Sequence, residues 1–357
     1  MKIQLDTYVP SLRWRTGEYQ ALFHLSDAAK SRVVPFVVIP EIEFDFETRT
    51  EKRTLQEHVE LFPKRFKDKW GLRPAWIDVH PKIQTQLMDN GDFPIGYIFS
   101  KLRPLGNNAV PVASLDGTIS LNSAIAVIIK SDKRGVGIRA RVEHVMKPTC
   151  KVEIDALMKK LGVRPESADL IVDLGNPNYE PYDDFADALI PALKRLSDFR
   201  AFRSYIVMGT AFPESISLTR PGGEIPRHDW MFYRALRRKI TGHARIPNYG
   251  DYATVNPAFS PKDMRLIKPP GKVVYAEATK WYVRKGGAFR DNRGQMHDHC
   301  EYIVTSGKFR GGAFSAGDSF IEKCANKLVN PSTPTRWKEV AINHHIMQVL
   351  EDISNLL

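Results

Sequence analysis

The sequence predicts an α/β fold: a (β/α)8 barrel of the TIM type with a C-terminal α+β extension packed on it. Two observations support the barrel. Short runs rich in Val and Ile alternate with helical segments over the first 255 residues, and there are eight such runs. Repeating units of roughly 30 residues fit a closed barrel better than an open, doubly wound sheet, which uses fewer strands.

The predicted strands are short and are bounded by Gly, Pro or charged residues, which is typical of strands buried on both faces. They cover residues 8–15, 33–41, 74–79, 109–115, 137–145, 168–174, 203–212 and 249–257. Helices are predicted at 17–32, 54–70, 120–132, 153–162, 183–199 and 228–240. Ser120 is the expected N-cap of one helix, and Gly162 is the expected C-terminal stop of another.

Two regions follow from this order of elements. Residues 1–260 are predicted to form the barrel, and residues 261–357 a C-terminal extension that is not an independent domain, because no Ser- or Pro-rich linker precedes it. The extension is expected to contain a β-hairpin made of 272–289 and 301–314, followed by helices at 318–328 and 337–357.

Composition restricts the class of protein. The chain has 357 residues and a formal net charge of +11, with basic runs at 234–245, 280–294 and 306–312. This charge favours an acidic partner such as nucleic acid, a nucleotide or an acidic protein. No apolar run approaches the ~20 residues that cross a membrane, and the N-terminus lacks the pattern of a secretory signal. We therefore expect no membrane partner. The three cysteines form no CxxC pair and suggest no disulfide framework, so we expect a cytoplasmic location.

Cofactor motifs are absent from the sequence. No GxGxxG follows a predicted strand and no GxxxxGK[ST] occurs, so nicotinamide, flavin and P-loop sites are not expected.

Charged residues collect at the predicted C-terminal ends of the strands, where (β/α)8 barrels hold their functional groups. Glu41, Asp78 and Asp173 belong to three different strands and form a predicted Mg²⁺ or Mn²⁺ site, with the two aspartates also catalytic. The predicted substrate-binding cations are Arg13, Arg15, Arg139, Arg141 and Lys280. A metal and arginines together suit phosphoester hydrolysis, in which both stabilise negative charge.

The same residues have a structural interpretation, because carboxylates and arginines at strand ends often form ion pairs. Arg139 and Arg141 lie two positions apart and would share one face of a strand. Buried arginines need acidic partners, and Glu41, Asp78 and Asp173 are the expected ones.

Two adjacent histidines, His344 and His345, are further catalytic candidates. If Asn343 caps the last helix, both lie in its first turn, where a neutral imidazole could serve as donor or general acid. The alternative is a structural role, since Ile342, Ile346 and Leu350 mark the packing face of this helix.

A second function class is a binding protein. Trp281, Tyr282 and Phe289 lie among basic residues and could stack on nucleic-acid bases, or they could be core aromatics. Asp318 is expected to cap the helix that follows it.

Four segments resemble the Beta family, which is named after a bacteriophage protein and occurs in bacteria and phages. They are YVPSLRWRTGEYQAL (8–22), VVPFVVIPE (33–41), FSAGDSFI (314–321) and NHHI (343–346). The resemblance implies a role near mobile elements and phage-conflict loci, with a possible protein partner from a phage or antiviral defence locus. It assigns no catalytic residue.

Overall fold

Eight parallel strands close into a barrel, as the sequence predicts. The computed structural model describes residues 2–196, 201–240, 245–258 and 267–356. The barrel strands are β1 (Val9–Arg13), β2 (Phe36–Ile39), β5 (Ala75–Val79), β6 (Ala109–Ser114), β7 (Val136–Arg141), β8 (Ala168–Gly175), β9 (Ser204–Gly209) and β11 (Asn248–Asp251). Their order around the barrel is β1-β11-β9-β8-β7-β6-β5-β2. All eight overlap predicted strands, because each is a short apolar run between turn residues. Two end well before their predicted C-terminal ends: β7 ends at Arg141, where a helix follows, and β11 ends at Asp251.

Five further strands lie outside the barrel: β3 (Phe44–Asp45), β4 (Thr50–Glu51), β10 (Gly222–Pro226), β12 (Pro270–Ala276) and β13 (Lys280–Ala288). The helices are α1 (Thr16–Phe23), α2 (Asp27–Lys30), α3 (Leu55–Val59), α4 (Phe62–Trp70), α5 (Pro94–Leu102), α6 (Ile119–Asp132), α7 (Val142–Val145), α8 (Cys150–Leu161), α9 (Tyr182–Arg195), α10 (His228–Ile240), α11 (Gln295–Thr305), α12 (Ala316–Ala325) and α13 (Pro334–Ser354). Among these described residues, no helix is both long and apolar enough to cross a membrane.

Capping residues explain where the observed helices depart from the predicted ones. The predicted helix 17–32 is divided because Ser26 caps a new helix, α2, by accepting a hydrogen bond from Ala29 N–H. Thr118, rather than Ser120, caps α6. Gly162 ends α8 in the left-handed region, at φ 68°, as predicted. Helix α5 was not predicted. Residues 197–199 of the predicted helix 183–199 and residues 241–244 of the basic run 234–245 lie outside the described residues.

The chain forms two compact units. The barrel unit comprises Met1–Trp14, Val33–Thr210 and Asp229–Asp251. The second unit comprises Arg15–Arg32, Ala211–His228 and Tyr252–Leu357. The sequence predicts a boundary at residue 260 and an extension, 261–357, that does not fold independently of the barrel. Both statements stay predictions.

The second unit is built on an antiparallel sheet with the order β10-β13-β12. Successive side chains of a strand point to opposite faces, and the two faces of β12 pack in two different cores. Val273 and Tyr275 join the core that includes residues of α11 and α12. Val274 and Ala276 join the core that contains Phe212 and Trp281. The sheet is therefore covered on both sides.

The predicted pairing of 272–289 with 301–314 is wrong. The hairpin forms within the first segment, where β12 pairs with β13, and residues up to Thr305 are helical. Met296, Cys300 and Ile303 lie at helical spacing and are buried in one core. This period of four and three residues outweighed the β propensity of the Tyr-Ile-Val run.

Candidate functional site

An arginine held between two aspartates lies at the C-terminal end of the barrel interior. Arg139 of β7 donates from Nε and Nη2 to Asp173 Oδ2, at 2.9 and 2.5 Å, and from Nη1 to Asp78 Oδ2 at 2.9 Å. The side chains are 15% (Arg139), 14% (Asp78) and 3% (Asp173) exposed. This is the pairing that the alternation of side chains along the predicted strand requires. We call these three residues the mouth triad.

Backbone groups and one ring fix the geometry of the mouth triad. Val79 N–H donates to Asp78 Oδ1, and Gly175 N–H donates to Asp173 Oδ1. The Arg139 guanidinium lies 5.5 Å from the centroid of the Phe36 ring, a favourable cation–π distance. Each carboxylate is thus held at both oxygens, so the site is rigid before any ligand binds.

The protonation of Asp78 differs from that of an ordinary aspartate. Burial raises its pKa, Arg139 and the Val79 N–H lower it, and the charge of Asp173 raises it again; the net pKa lies above the ordinary 3.8. When Asp78 holds a proton, the mouth triad has no net charge. A buried carboxyl of this kind can act as a general acid.

The other predicted mouth residues differ in how close they come to the triad. Arg13 is in register with Val38, and Val38 with Asp78, so these three residues share a face. Arg141 is exposed, with Nε 3.9 Å from Asp116 Oδ2. It ends the strand because α7 begins at the next residue. Arg141 therefore does not join Arg139 in a clamp.

The predicted metal ligands are not assembled around one point. No group of three or more His, Cys, Asp or Glu side chains in the described parts of the chain could hold a metal ion. Glu41 is buried, and His80 Nε2 lies 3.7 Å from its Oε2. Arg139 occupies the space between Asp78 and Asp173 that a shared cation would take.

The remaining predicted site residues belong to the second unit: Arg15, Lys280, His344 and His345. Lys280 Nζ contacts Glu224 Oε2 at 2.7 Å. Trp281, Tyr282 and Phe289 are buried in the two cores. These aromatics are therefore core residues, which is the second of the two interpretations that the sequence leaves open.

His344 lies in a buried hydrogen-bond network. Its Nδ1 lies 2.8 Å from Asp318 Oδ2, and its Nε2 lies 2.8 Å from Ala276 O. An imidazole donates from both nitrogens only when it is protonated, so we assign His344 as an imidazolium. The Tyr275 ring stacks on it at 3.8 Å and donates its hydroxyl to Asp318 Oδ1.

The partners of Asp318 keep it ionised. Burial alone raises the pKa of Asp318, but the hydrogen bond and charge of His344, followed by hydrogen bonds from Ser315 and Tyr275, lower it below its ordinary value. The helix cap is Ser315, whose hydroxyl accepts from Asp318 N–H, so the predicted cap at Asp318 is wrong. The pair of His344 and Asp318 links α13 to α12 and to β12.

Asn343 does not begin the last helix. Helix α13 begins at Pro334 with Thr333 as its cap, which places Asn343 and both histidines in the middle of the helix. Asn343 Oδ1 accepts from Gly317 N–H, and its Nδ2 donates to Ala21 O. A Cβ at Gly317 would lie 2.6 Å from Val340 O, so α12 approaches α13 closely because that position is glycine. His345 is fully buried and accepts from Trp281 Nε1 at 3.3 Å.

One mouth residue escaped sequence reasoning. The hydroxyl of Tyr179, in the segment after β8, lies 2.3 Å from the position of a Cβ on Gly209 at the end of β9. The signal for it is the glycine that ends a buried strand, since such a glycine often marks a close approach.

A closed barrel of eight parallel strands with charged residues at its carboxyl ends defines a (β/α)8-barrel protein. The family model described as Beta protein matches residues 8–351, and the chain belongs to this family. No curated protein matches the chain.

Proposed function

We propose that the barrel mouth catalyses acid–base cleavage of a phosphoester, in a nucleotide or nucleic acid, in the cytoplasm of a cell engaged in phage conflict. Water is the proposed nucleophile: its oxygen bonds to phosphorus and its proton passes to solvent. The bond to the leaving oxygen breaks as Asp78 donates its proton to that oxygen, and Asp78 regains a proton from solvent. Asp173 holds Arg139 in place, and Arg139 with Arg13 binds the phosphate. The observation that carries this proposal is the mouth triad, with a carboxyl whose pKa is raised.

Electrostatics support the choice of a phosphoester. Arginine forks match phosphate oxygens in pairs and stabilise the charge that develops during transfer. Arg13 shares a face with Asp78 through the register of β1, β2 and β5. A phosphate that approaches Arg139 would compete with Asp78 for the guanidinium, and a protonated Asp78 yields more readily than an ionised one. The chain as a whole, at +11, favours approach of an anion.

We propose in addition that Mg²⁺ or Mn²⁺ binds at the same carboxylates during catalysis. A cation bound by Asp78 and Asp173 would require Asp78 to be ionised and would displace Arg139 from its present position. With metal bound, Asp78 would therefore be a ligand and not the proton donor, and the guanidinium would turn toward the substrate. The metal would then polarise the phosphate and activate water. Glu41, whose Oε2 lies 3.7 Å from His80 Nε2, is the third proposed ligand.

Turnover by the purified wild-type protein tests the proposal. We expect release of product from at least one member of a panel of nucleotides, phosphodiesters and single- and double-stranded nucleic acids. Stimulation by Mg²⁺ or Mn²⁺ over EDTA would support the metal, and equal rates in EDTA would restrict the mechanism to the residues themselves. No turnover, with binding of nucleic acid that weakens steeply with salt, would contradict the proposal and support the non-catalytic alternative, a binding or interaction scaffold.

A further inference from the structure

A groove of about 1010 Å³ in the second unit contains more cations than acids. Its wall includes Arg220, Lys268, Lys272 and Lys285, against Glu214 and Asp291. Lys268 Nζ lies 3.3 Å from Asp291 Oδ2, which neutralises one cation with one acid. Three basic side chains and a single carboxylate remain. This volume is at the upper end of the range for small-molecule sites.

Two of these lysines face each other across the sheet. Lys272 of β12 and Lys285 of β13 are register partners in an antiparallel pair, and like charges directly opposite each other destabilise such a pair. Lys285 Nζ is held in place by Ile216 O and Leu218 O, at 2.9 and 2.7 Å. Two carbonyls orient this ammonium but leave its charge uncompensated.

The ammonium of Lys272 has no hydrogen bond or ion pair with any residue that the structure describes. Partial desolvation and then the charges of Lys285 and Lys338 lower its pKa. Arg220 likewise has no such partner among the described residues, and its Nη2 lies 3.6 Å from where a Cβ on Gly287 would be. Cations that repel one another and lack acids create a place for an anion.

An apolar cavity of about 350 Å³ adjoins this groove. It is lined in part by Val274, Phe289 and Trp337, and it shares Lys272 and the Pro269–Pro270 wall with the groove. Lys272 therefore stands where a cationic surface meets an apolar one. A ligand that fills both the groove and the cavity needs several linked anionic groups, attached to a flat and weakly polar ring.

We propose that this groove binds a nucleoside polyphosphate, with the phosphates on Arg220, Lys272 and Lys285 and the base in the apolar cavity. This is a second site, and it does not depend on the function proposed for the barrel mouth. All of its residues belong to the second unit.

Titration of the full chain with ATP, inorganic triphosphate, adenosine and a short single-stranded oligonucleotide, in EDTA, tests the site. We expect saturable ATP binding, weaker binding of triphosphate and none of adenosine. Lys272→Met and Arg220→Met should each weaken ATP binding by about ten- to a hundred-fold, the loss of one charged contact. The matched control is Lys323→Met, an exposed lysine of the same unit outside the groove.

The ligand-free protein provides a second readout. Lys272→Met removes the cross-strand repulsion, so its melting temperature at low salt should exceed that of the wild type, and added salt should shrink the difference. Failure of ATP to saturate, or equal ATP affinity in the wild type and both groove variants, would overturn the proposal. Tighter binding of the oligonucleotide than of ATP would replace it with a nucleic-acid groove.

Discussion

Replacing Asp78 with asparagine is expected to lower kcat by about 10²–10⁴-fold while the protein stays folded, because the variant keeps the shape of the side chain but has no proton to donate. In the wild type, kcat should fall as the pH rises above the raised pKa of Asp78. That decline should be absent from the residual activity of Asp78→Asn. Steady-state rates on the substrate found in the panel, measured across pH, test both statements.

The same carboxyl has a signature in stability. Its folded pKa lies above its unfolded one, so the folded state holds the proton to a higher pH. Asp78 therefore makes the wild type less stable as the pH rises from the unfolded pKa through the folded pKa. Denaturant unfolding should show this decline in the wild type and not in Asp78→Asn. Asp155→Asn, which changes an exposed carboxylate on α8, is the control and should preserve both kcat and the decline. Full kcat in Asp78→Asn would contradict the assignment.

Replacing His344 with phenylalanine is expected to destabilise the protein by about 3–5 kcal/mol at neutral pH, since it leaves the Asp318 carboxylate buried without its cation. The two side chains are both fully buried and are 2.8 Å apart. Burial is complete, so solvent screening does not reduce the effect. Urea or guanidinium unfolding measures the loss in the free energy of unfolding, which we expect as a lower midpoint with an unchanged m-value.

Three comparisons separate a lost ion pair from altered packing. The double variant His344→Phe with Asp318→Asn should be more stable than His344→Phe alone, because the unpaired charge is gone. The pKa of Asp318 is lowered in the folded state, so its stabilising contribution exists above the unfolded pKa and disappears as the pH falls through the folded one. The cost of His344→Phe should therefore shrink in acid. His24→Phe, at a side chain 38% exposed, should cost far less. An equal cost in the single and double variants would contradict the pairing.

The sequence predicts most of the barrel because the information for it is local. Each barrel strand is a short apolar run between turn residues, and the right number of them leaves a closed ring as the favoured arrangement. The alternation of side chains also predicts that Arg139 needs acidic partners, and Asp78 and Asp173 provide them. Arg141 has the same position in the alternation, but it does not join these aspartates because α7 begins directly after it.

The second unit was harder to predict because its determinants are distant in sequence. Asn343 looks like a helix cap, but its side chain bonds Gly317 and Ala21, which lie 26 and 322 residues away. His344 and Asp318 are likewise recognisable as a pair only once α12 and α13 lie together. The groove is hidden for the same reason: Lys272 and Lys285 become neighbours only through the register of the β12–β13 hairpin.

The central claim is that Asp78 is a buried carboxyl, held by Arg139, that keeps its proton above the ordinary pKa of an aspartate. An NMR titration of isotope-labelled aspartate carboxyl carbons measures this directly, with Asp78→Asn identifying the resonance. We predict that the signal missing from the variant titrates above 3.8, the ordinary value. A signal that titrates at or below that value would contradict the claim and remove the proton donor from the barrel mouth.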